Sequence, residues 1–411
     1  MVSANRGERL HIGIFGKRNA GKSSLINAIT SQDIALVSKT PGTTTDPVYK
    51  AMEILPIGPV VLIDTAGLDD TGELGEKRVS KTRQVLNKCD FALIVAEYNN
   101  FTENNFDYEK ELIALIKEKD IPLVLVINKI DLVNSVSFSD ESITKELGIP
   151  TVLVSATNNL GIEELKHLII KNSRMDWREP TIIGDILNPG ELAVLVVPID
   201  NAAPKGRLIL PQVQTIRDIL DNDSLAVVVK ERELAHSLKI LHQKPKIVIT
   251  DSQAFQQVAA DTPEDILMTS FSILFAKYKG DLEAYLRGIK KIKQLKDGDK
   301  ILIAEACTHH VQSDDIGTIK IPKWLRQLTG KELHFEKSSG IGFPENIKDF
   351  SLIVHCGGCM LNRREILYRI GVSESEQIPI TNYGMIIAYS FGILERALKP
   401  FPLAKSLFEN E

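Results

Sequence analysis

Short apolar runs alternate with helically periodic stretches over the first 170 residues of this chain. Leu10–Phe15, Val60–Ile63, Phe91–Val95, Leu123–Ile127 and Thr151–Val154 are nearly continuous in apolar residues, the pattern of strands buried on both faces. Lys22–Thr30 and Glu109–Glu118 between them carry helical spacing. Strands alternating with helices predict a mostly parallel sheet covered on both sides. The stretch Asn172–Pro180, with Trp177, Arg178 and Glu179, breaks the alternation and marks a first boundary.

A second alternation follows, with strands expected at Ala193–Ile199, Leu225–Val229 and Lys246–Thr250. Helices are expected at Gln212–Asp221, Glu231–Leu241 and Ser252–Ala260, with Leu234, Leu238 and Leu241 as a core-facing stripe. This unit carries no motif that bears chemistry. The third segment reads as helical from Thr262 through Leu295, then gives strands at Ile301–Ala304, Glu332–Phe335, Ser351–Val354 and Ile378–Thr381. Helices follow at Leu361–Ile370 and Met385–Leu398. The expected architecture is therefore α/β in three successive α/β domains: 1–175, 176–262 and 263–411.

Composition narrows the class without naming an activity. The chain has 411 residues, 43% hydrophobic and 25% charged, with 49 basic against 54 acidic side chains. A net charge of −5 gives no electrostatic case for a nucleic-acid partner. The N-terminal stretch lacks the apolar core of a signal peptide, and no apolar run approaches the roughly 18 residues of a membrane span. A cytoplasmic protein with reduced thiols is expected. Four cysteines, Cys89, Cys307, Cys356 and Cys359, are too few for a disulfide framework in so long a chain.

The first chemical signal is Gly16-Lys17-Arg18-Asn19-Ala20-Gly21-Lys22-Ser23, a phosphate-binding GxxxxGK(S/T) loop between an expected strand and an expected helix. Loop amides and the helix N-terminus, on which Ser24 also lies, face an anion. Lys22 reaches the β/γ-phosphates and the Ser23 hydroxyl can ligate Mg²⁺. Asp64-Thr65-Ala66-Gly67 follows the next strand: its acid can hold Mg²⁺ through water, and the Gly67 amide can sense the γ-phosphate. Asn128-Lys129-Ile130-Asp131 offers a carboxylate to the N1–H and exocyclic amine of guanine, which argues for GTP over ATP. Ser155-Ala156-Thr157 completes the base pocket. All four elements follow strands, where ligands bind in open α/β sheets.

The second signal is Cys307-Thr308-His309 beyond one strand and His355-Cys356-Gly357-Gly358-Cys359 beyond another. If the strands are neighbours, three thiols converge. Three thiolates with a histidine suit structural zinc; three thiolates alone suit a 4Fe–4S cluster with one labile corner; a Cys356/Cys359 redox pair is a third option. The residues alone leave zinc and iron–sulfur evenly matched. Asp314 and Asp315 share the first loop, and Asn382-Tyr383-Gly384 follows a further strand that can border the pocket. Cys89 reads as packing and His310 as a surface residue.

Residues 8–170 resemble the TrmE/Era-like GTPases. That resemblance implies that Thr44, in Pro41-Gly42-Thr43-Thr44-Thr45-Asp46, ligates Mg²⁺, and that Asn19 helps hold K⁺ near the phosphates. Thr45 stands where arginine is usual, and Leu68 stands where a water-orienting glutamine is found in Ras-like proteins. Slow intrinsic hydrolysis of GTP to GDP, stimulated by K⁺, is the expectation. A GTPase domain, a small α/β domain and then CxH…HCxxC together resemble, over the whole chain, the HydF family of FeFe-hydrogenase maturation GTPases. The resemblance implies Cys307, Cys356 and Cys359 as 4Fe–4S ligands, with His309 or His355 as an exchangeable fourth ligand or as a supporting residue. It implies a homodimer through the middle domain. It also implies a scaffold that receives a di-iron subcluster precursor, made with radical-SAM maturases, and delivers it to apo FeFe-hydrogenase. The competing reading is a ribosome- or RNA-assembly GTPase with structural zinc, against which the acidic balance counts.

Overall fold

The computed structural model describes residues 9–30, 48–55, 57–65, 83–99, 106–133, 139–173, 181–199, 208–306, 315–340, 343–344, 346–358 and 361–409. It falls into two compact units, Met1–Trp177 and Arg178–Glu411. Among the described residues no helix is long and apolar enough to cross a membrane.

In the first unit the strands are β1 (Leu10–Phe15), β2 (Val48–Ile54), β3 (Gly58–Asp64), β4 (Phe91–Glu97), β5 (Leu123–Asn128) and β6 (Thr151–Leu153). Helices α1 (Lys22–Thr30), α2 (Asp107–Glu118), α3 (Asp140–Leu147) and α4 (Ile162–Asn172) lie between or after them. The six-stranded order is β2-β3-β1-β4-β5-β6, parallel except for β2, which pairs antiparallel with β3. The unbroken apolar runs have a direct cause, since alternate residues enter two different cores. Ile12, Ile14, Leu93, Val95 and Val126 face one; Phe15, Ile63, Ile94, Leu125 and Ile127 face the other. Cys89 is fully buried in the second core, and a Cβ on Gly13 would stand 2.4 Å from its sulfur, so packing is its role.

The second unit holds two parallel four-stranded sheets. The first, in order β10-β9-β7-β8, comprises β7 (Leu192–Val196), β8 (Leu225–Val229), β9 (Ile247–Thr250) and β10 (Leu267–Ser270). Its helices are α5 (Leu210–Asp221), α6 (Leu234–Ile240) and α7 (Phe255–Asp261). Helices α8 (Phe271–Lys279) and α9 (Leu282–Ile292) lead to the second sheet, in order β12-β11-β13-β14. That sheet is β11 (Lys300–Glu305), β12 (His334–Ser339), β13 (Leu352–His355) and β14 (Ile380–Asn382). Around it lie α10 (Ile321–Thr329), α11 (Arg363–Ser375), α12 (Tyr383–Ser390), α13 (Leu394–Leu398) and α14 (Pro402–Glu409).

Three differences from the sequence expectations have physical causes. The helical reading from Thr262 to Leu295 conceals β10, which pairs in register with β9, so the first sheet of this unit runs past residue 262 to Ser270. Ile266 through Phe275 is too uniformly apolar for periodicity to separate strand from helix. Further, one apolar cluster running from Ile182 to Ala404 is shared by both sheets. The edge strand β12 is displaced as well, to His334–Ser339 rather than Glu332–Phe335, because it is of mixed polarity.

Candidate functional site

The nucleotide elements meet at the carboxyl edge of the first sheet. β1 ends at Phe15, and the Gly16–Gly21 loop turns into α1 at Lys22. Gly16 has φ +146°, and a Cβ on it would stand 2.1 Å from the Val95 carbonyl oxygen, so the loop requires glycine there. Asn19, at φ +63°, adopts the left-handed conformation that asparagine tolerates, with its side chain exposed beside exposed Arg18. The buried Lys22 ammonium donates to the carbonyls of Gly16 (2.7 Å) and Lys17 (2.8 Å), which matches a buried cation to acceptors. Ser23 and Ser24 occupy the first turn of α1.

The Ser23 hydroxyl donates to Asp64 Oδ2 at 2.9 Å, joining the two groups expected at Mg²⁺. Burial holds the Asp64 carboxyl above the usual carboxylate range, against the pull of the Ser23 hydrogen bond and the Lys22 charge. Thr65 donates its hydroxyl to the Ile14 carbonyl at 2.6 Å and so fastens the end of β3 to β1. Thr44, Gly67 and Leu68 lie outside the described residues.

Asn128 is a rivet between loops. Its buried side chain donates to the Ala20 carbonyl at 3.0 Å and accepts the Ala156 N–H at 3.1 Å, tying the phosphate loop to the Ser155-Ala156-Thr157 segment. Ser155 is buried and its hydroxyl accepts the Asn158 N–H, while Thr157 is exposed. Lys129, at φ +69°, pairs with Glu97 at 2.9 Å. Asp131 stands exposed in the short turn Ile130–Leu132.

Sequence reasoning missed Glu109. Its carboxylate is 0% exposed in the first turn of α2 and lies 3.5 Å from the Lys17 ammonium of the phosphate loop. Burial raises its carboxyl above the usual range, opposed by its own backbone amide and by Lys17. The signal was available as an acid at a position that the helical period turns inward.

The described part of the second constellation, His355 to Gly358, lies at the carboxyl edge of β13, which pairs parallel with β11, Ala304 standing opposite His355. Cys356 donates its N–H to the Ala304 carbonyl (2.9 Å), and the Ala306 N–H donates to Cys356 Sγ (3.2 Å). The residue before Cys307 is thereby brought against the Cys356 sulfur. Gly358 has φ +60°, and a side chain there would also meet Ile366, so the turn of the CxxC segment calls for glycine. Leu361 donates its N–H to the Gly358 carbonyl at 3.0 Å, and Asn362 caps α11 by accepting the Glu365 N–H. Cys307, His309, His310, Asp314 and Cys359 lie outside the described residues. Among the described residues no group of three His, Cys, Asp or Glu side chains could hold a metal ion.

Four groups wall this region. Tyr383, on the segment after β14, donates its hydroxyl to Glu305 Oε1 at 3.0 Å, and Lys337 pairs with the other Glu305 oxygen at 2.7 Å. Burial first, then the Glu305 and Cys356 charges, push the Tyr383 hydroxyl far up. Tyr285, fully buried, is raised by burial and then by Cys356. Tyr383 therefore stands close enough to Cys356 to feel its charge. Asp315 is committed elsewhere: its carboxylate accepts both the Thr318 N–H and hydroxyl (2.8 Å each) as the cap of the turn Ile316–Lys320. His355 is buried, with Nδ1 2.6 Å from the Cys356 carbonyl and Nε2 3.1 Å from Arg369 Nη1.

Comparison with known proteins assigns both halves. Residues 11–129 match the family model described as "50S ribosome-binding GTPase". Residues 182–280 match "Hydrogen maturase F dimerization domain" and residues 283–400 match "Hydrogen maturase F tetramerization domain". The tRNA modification GTPase MnmE of Synechocystis is 37% identical over 202 residues, 47% of this chain and 41% of that protein. MnmE of Thermoanaerobacter sp. is 38% identical over 165 residues, 39% of this chain and 34% of its own length. The chain thus spans about two fifths or less of these relatives. Among solved structures, the G domain of the T. maritima FeoB iron transporter is 25% identical with a TM-score of 0.32. That match covers 41% of this chain and 100% of that one.

Proposed function

This chain has the domain architecture of the hydrogen maturase F family, a GTPase domain followed by that family's dimerization and tetramerization domains, and on that premise we propose a GTP-controlled scaffold for FeFe-hydrogenase maturation. Its resident group is a 4Fe–4S cluster on Cys307, Cys356 and Cys359; its cargo is a di-iron precursor from radical-SAM maturases; its recipient is apo FeFe-hydrogenase. The donor set fits. Soft thiolates suit iron–sulfur, and the 3.2 Å contact between the Ala306 N–H and Cys356 Sγ favours a thiolate there; the match of residues 182–280 and 283–400 to that family's domains is the observation that carries the reading over zinc. When bound, a cluster with three protein thiolates supplies an iron whose fourth position accepts an exchangeable ligand.

In the nucleotide half, the loop amides and Lys22 hold the phosphates, Ser23 with Asp64 and Thr44 holds Mg²⁺, and Asp131 reads guanine. GTP is hydrolysed slowly, with Asn19 contributing to a K⁺ requirement, and nucleotide state governs partner exchange rather than cluster chemistry. The homodimer forms through β8. That strand is an edge of its sheet, reads Leu225-Ala226-Val227-Val228-Val229 without a charge, and exposes Leu225 and Val228. Anaerobic purification tests the scaffold reading. A brown protein with about 4 Fe per chain, bleached by Cys307→Ala, supports it. A colourless protein with one tightly held zinc overturns it in favour of a structural metal. Equal GTP hydrolysis rates in K⁺ and Na⁺ at matched ionic strength would remove the K⁺ assignment.

A further inference from the structure

Arg369 is 1% exposed and Lys279 2% exposed, two cations withdrawn from water. Both converge on the backbone that carries the cysteines. Lys279 Nζ, at the end of α8, donates to the Leu361 carbonyl at 2.9 Å, just beyond the CxxC segment. Arg369, on α11, donates through Nε to Glu365 Oε1 at 3.0 Å and through Nη1 to His355 Nε2 at 3.1 Å, with its guanidinium 5.3 Å from the Phe343 ring centre.

A guanidinium carries donors and no acceptor. His355 Nε2 therefore accepts, the ring proton resides on Nδ1, and Nδ1–H donates to the Cys356 carbonyl at 2.6 Å. Both ring nitrogens are committed inside the protein. The chain of contacts runs Glu365–Arg369–His355–Cys356 carbonyl, from a helix to the residue whose thiol receives the Ala306 amide.

We propose that His355 is a positioning residue and not a cluster ligand: the Glu365–Arg369–His355 chain fixes the Cys356 backbone and so aims its thiolate, while Lys279 supplies buried positive charge toward an anionic cluster and Arg369 cancels the charge of the buried Glu365. This rests on the reading that Cys307, Cys356 and Cys359 hold a 4Fe–4S cluster, and adds what orients and charges that site. Its physical content is that the Cys356 carbonyl is pinned before metal arrives, so that less ordering is left to binding. A positive charge beside the cluster favours the reduced form, which carries one more electron. The exchangeable position must then be filled by something other than His355.

The full-length chain is purified anaerobically as wild type, His355→Gln, Arg369→Gln, Arg369→Lys and Lys279→Met. Each is read for iron content, cluster midpoint potential, the nitrogen hyperfine couplings of the reduced cluster, and the rate of iron loss to a chelator. His355→Gln is expected to keep the nitrogen couplings of wild type. It should lose iron about ten- to a hundredfold faster, the range for removing an outer partner of a metal ligand. Arg369→Gln and Lys279→Met should lower the potential, and Arg369→Lys should restore most of that shift while still losing iron faster than wild type. Loss of a strong nitrogen coupling in His355→Gln overturns the proposal, as do unchanged potentials in Arg369→Gln and Lys279→Met together. If Arg369→Gln does not fold, Arg369→Lys and Lys279→Met decide the outcome. Wild type that binds no iron sinks the site itself, a result that differs from cluster-loaded variants with unchanged potentials and release rates.

Discussion

Glu109 shows what one buried acid does to a loop made for anions. Its carboxyl is raised by burial, so the folded chain binds a proton there more tightly than the unfolded chain does. Stability must therefore fall as pH rises from the unfolded carboxylate range, about 4.3, through the raised folded value. Glu109→Gln removes that slope. Its unfolding free energy relative to wild type should climb across the interval and then level off, as read by denaturant melts between about pH 4 and pH 8. A difference that stays flat with pH would show that Lys17 offsets the burial fully. Asn128 is the opposite case, a neutral side chain whose loss strands two partners. Asn128→Ala leaves the Ala20 carbonyl and the Ala156 N–H unsatisfied, at about 1–3 kcal/mol. Fluorescent-GDP titration should show a fall in affinity of about tenfold or more, with the native fold intact by circular dichroism. Unchanged affinity would place the rivet outside nucleotide binding. The sequence motif marks Asn128 as part of the pocket, but its role as a tie between two loops depends on which carbonyl and which amide the fold brings within reach.

At the scale of elements, the apolar runs of the first unit were readable because each strand has a core on both faces, and β1 and α1 fall at the expected residues. β2 was not readable. Tyr49, Lys50 and Glu53 interrupt its apolar positions, as suits an edge strand with one face partly open. β10 was hidden for the opposite reason, an excess of apolar residues that erases any period. β8 was readable as a strand, but its position at an edge was not, since pairing is a long-range property. That position makes Val228, 45% exposed, the residue to change. Val228→Lys introduces the charge that natural edge strands use against pairing, and sedimentation should show a shift from dimer toward monomer at unchanged helix and strand content. A variant that remains dimeric would move the dimer contact away from β8.

For the whole molecule, two compact units against three expected segments is explained by the apolar cluster that spans both sheets of residues 178–411. A core that is continuous cannot unfold in halves without exposing itself. Calorimetry of the full chain should therefore resolve a transition that rises with nucleotide and one that does not. At a hundred times Kd, GDP with Mg²⁺ stabilises its own unit by about 2.7 kcal/mol. Equal shifts of both transitions would mean that the units melt as one. The three cysteines were visible as a set in the sequence, whereas the buried cations Arg369 and Lys279 were not. They sit 10 and 80 residues from Cys359, Lys279 at the end of a mostly apolar helix and Arg369 in a polar one without a clear apolar face, and only the fold turns them inward.

Helix α8 begins directly after β10, with Ser270 as its cap, and ends at Lys279, whose ammonium donates to the Leu361 carbonyl. Nine residues of helix make a rod about 13 Å long, too short and too well packed to bend. One end is rooted in the sheet whose far edge is β8, and the other holds the Leu361 carbonyl. The rod has no slack: rotation of the helix about its own axis by one residue, about 100°, would carry the Lys279 ammonium off the Leu361 carbonyl.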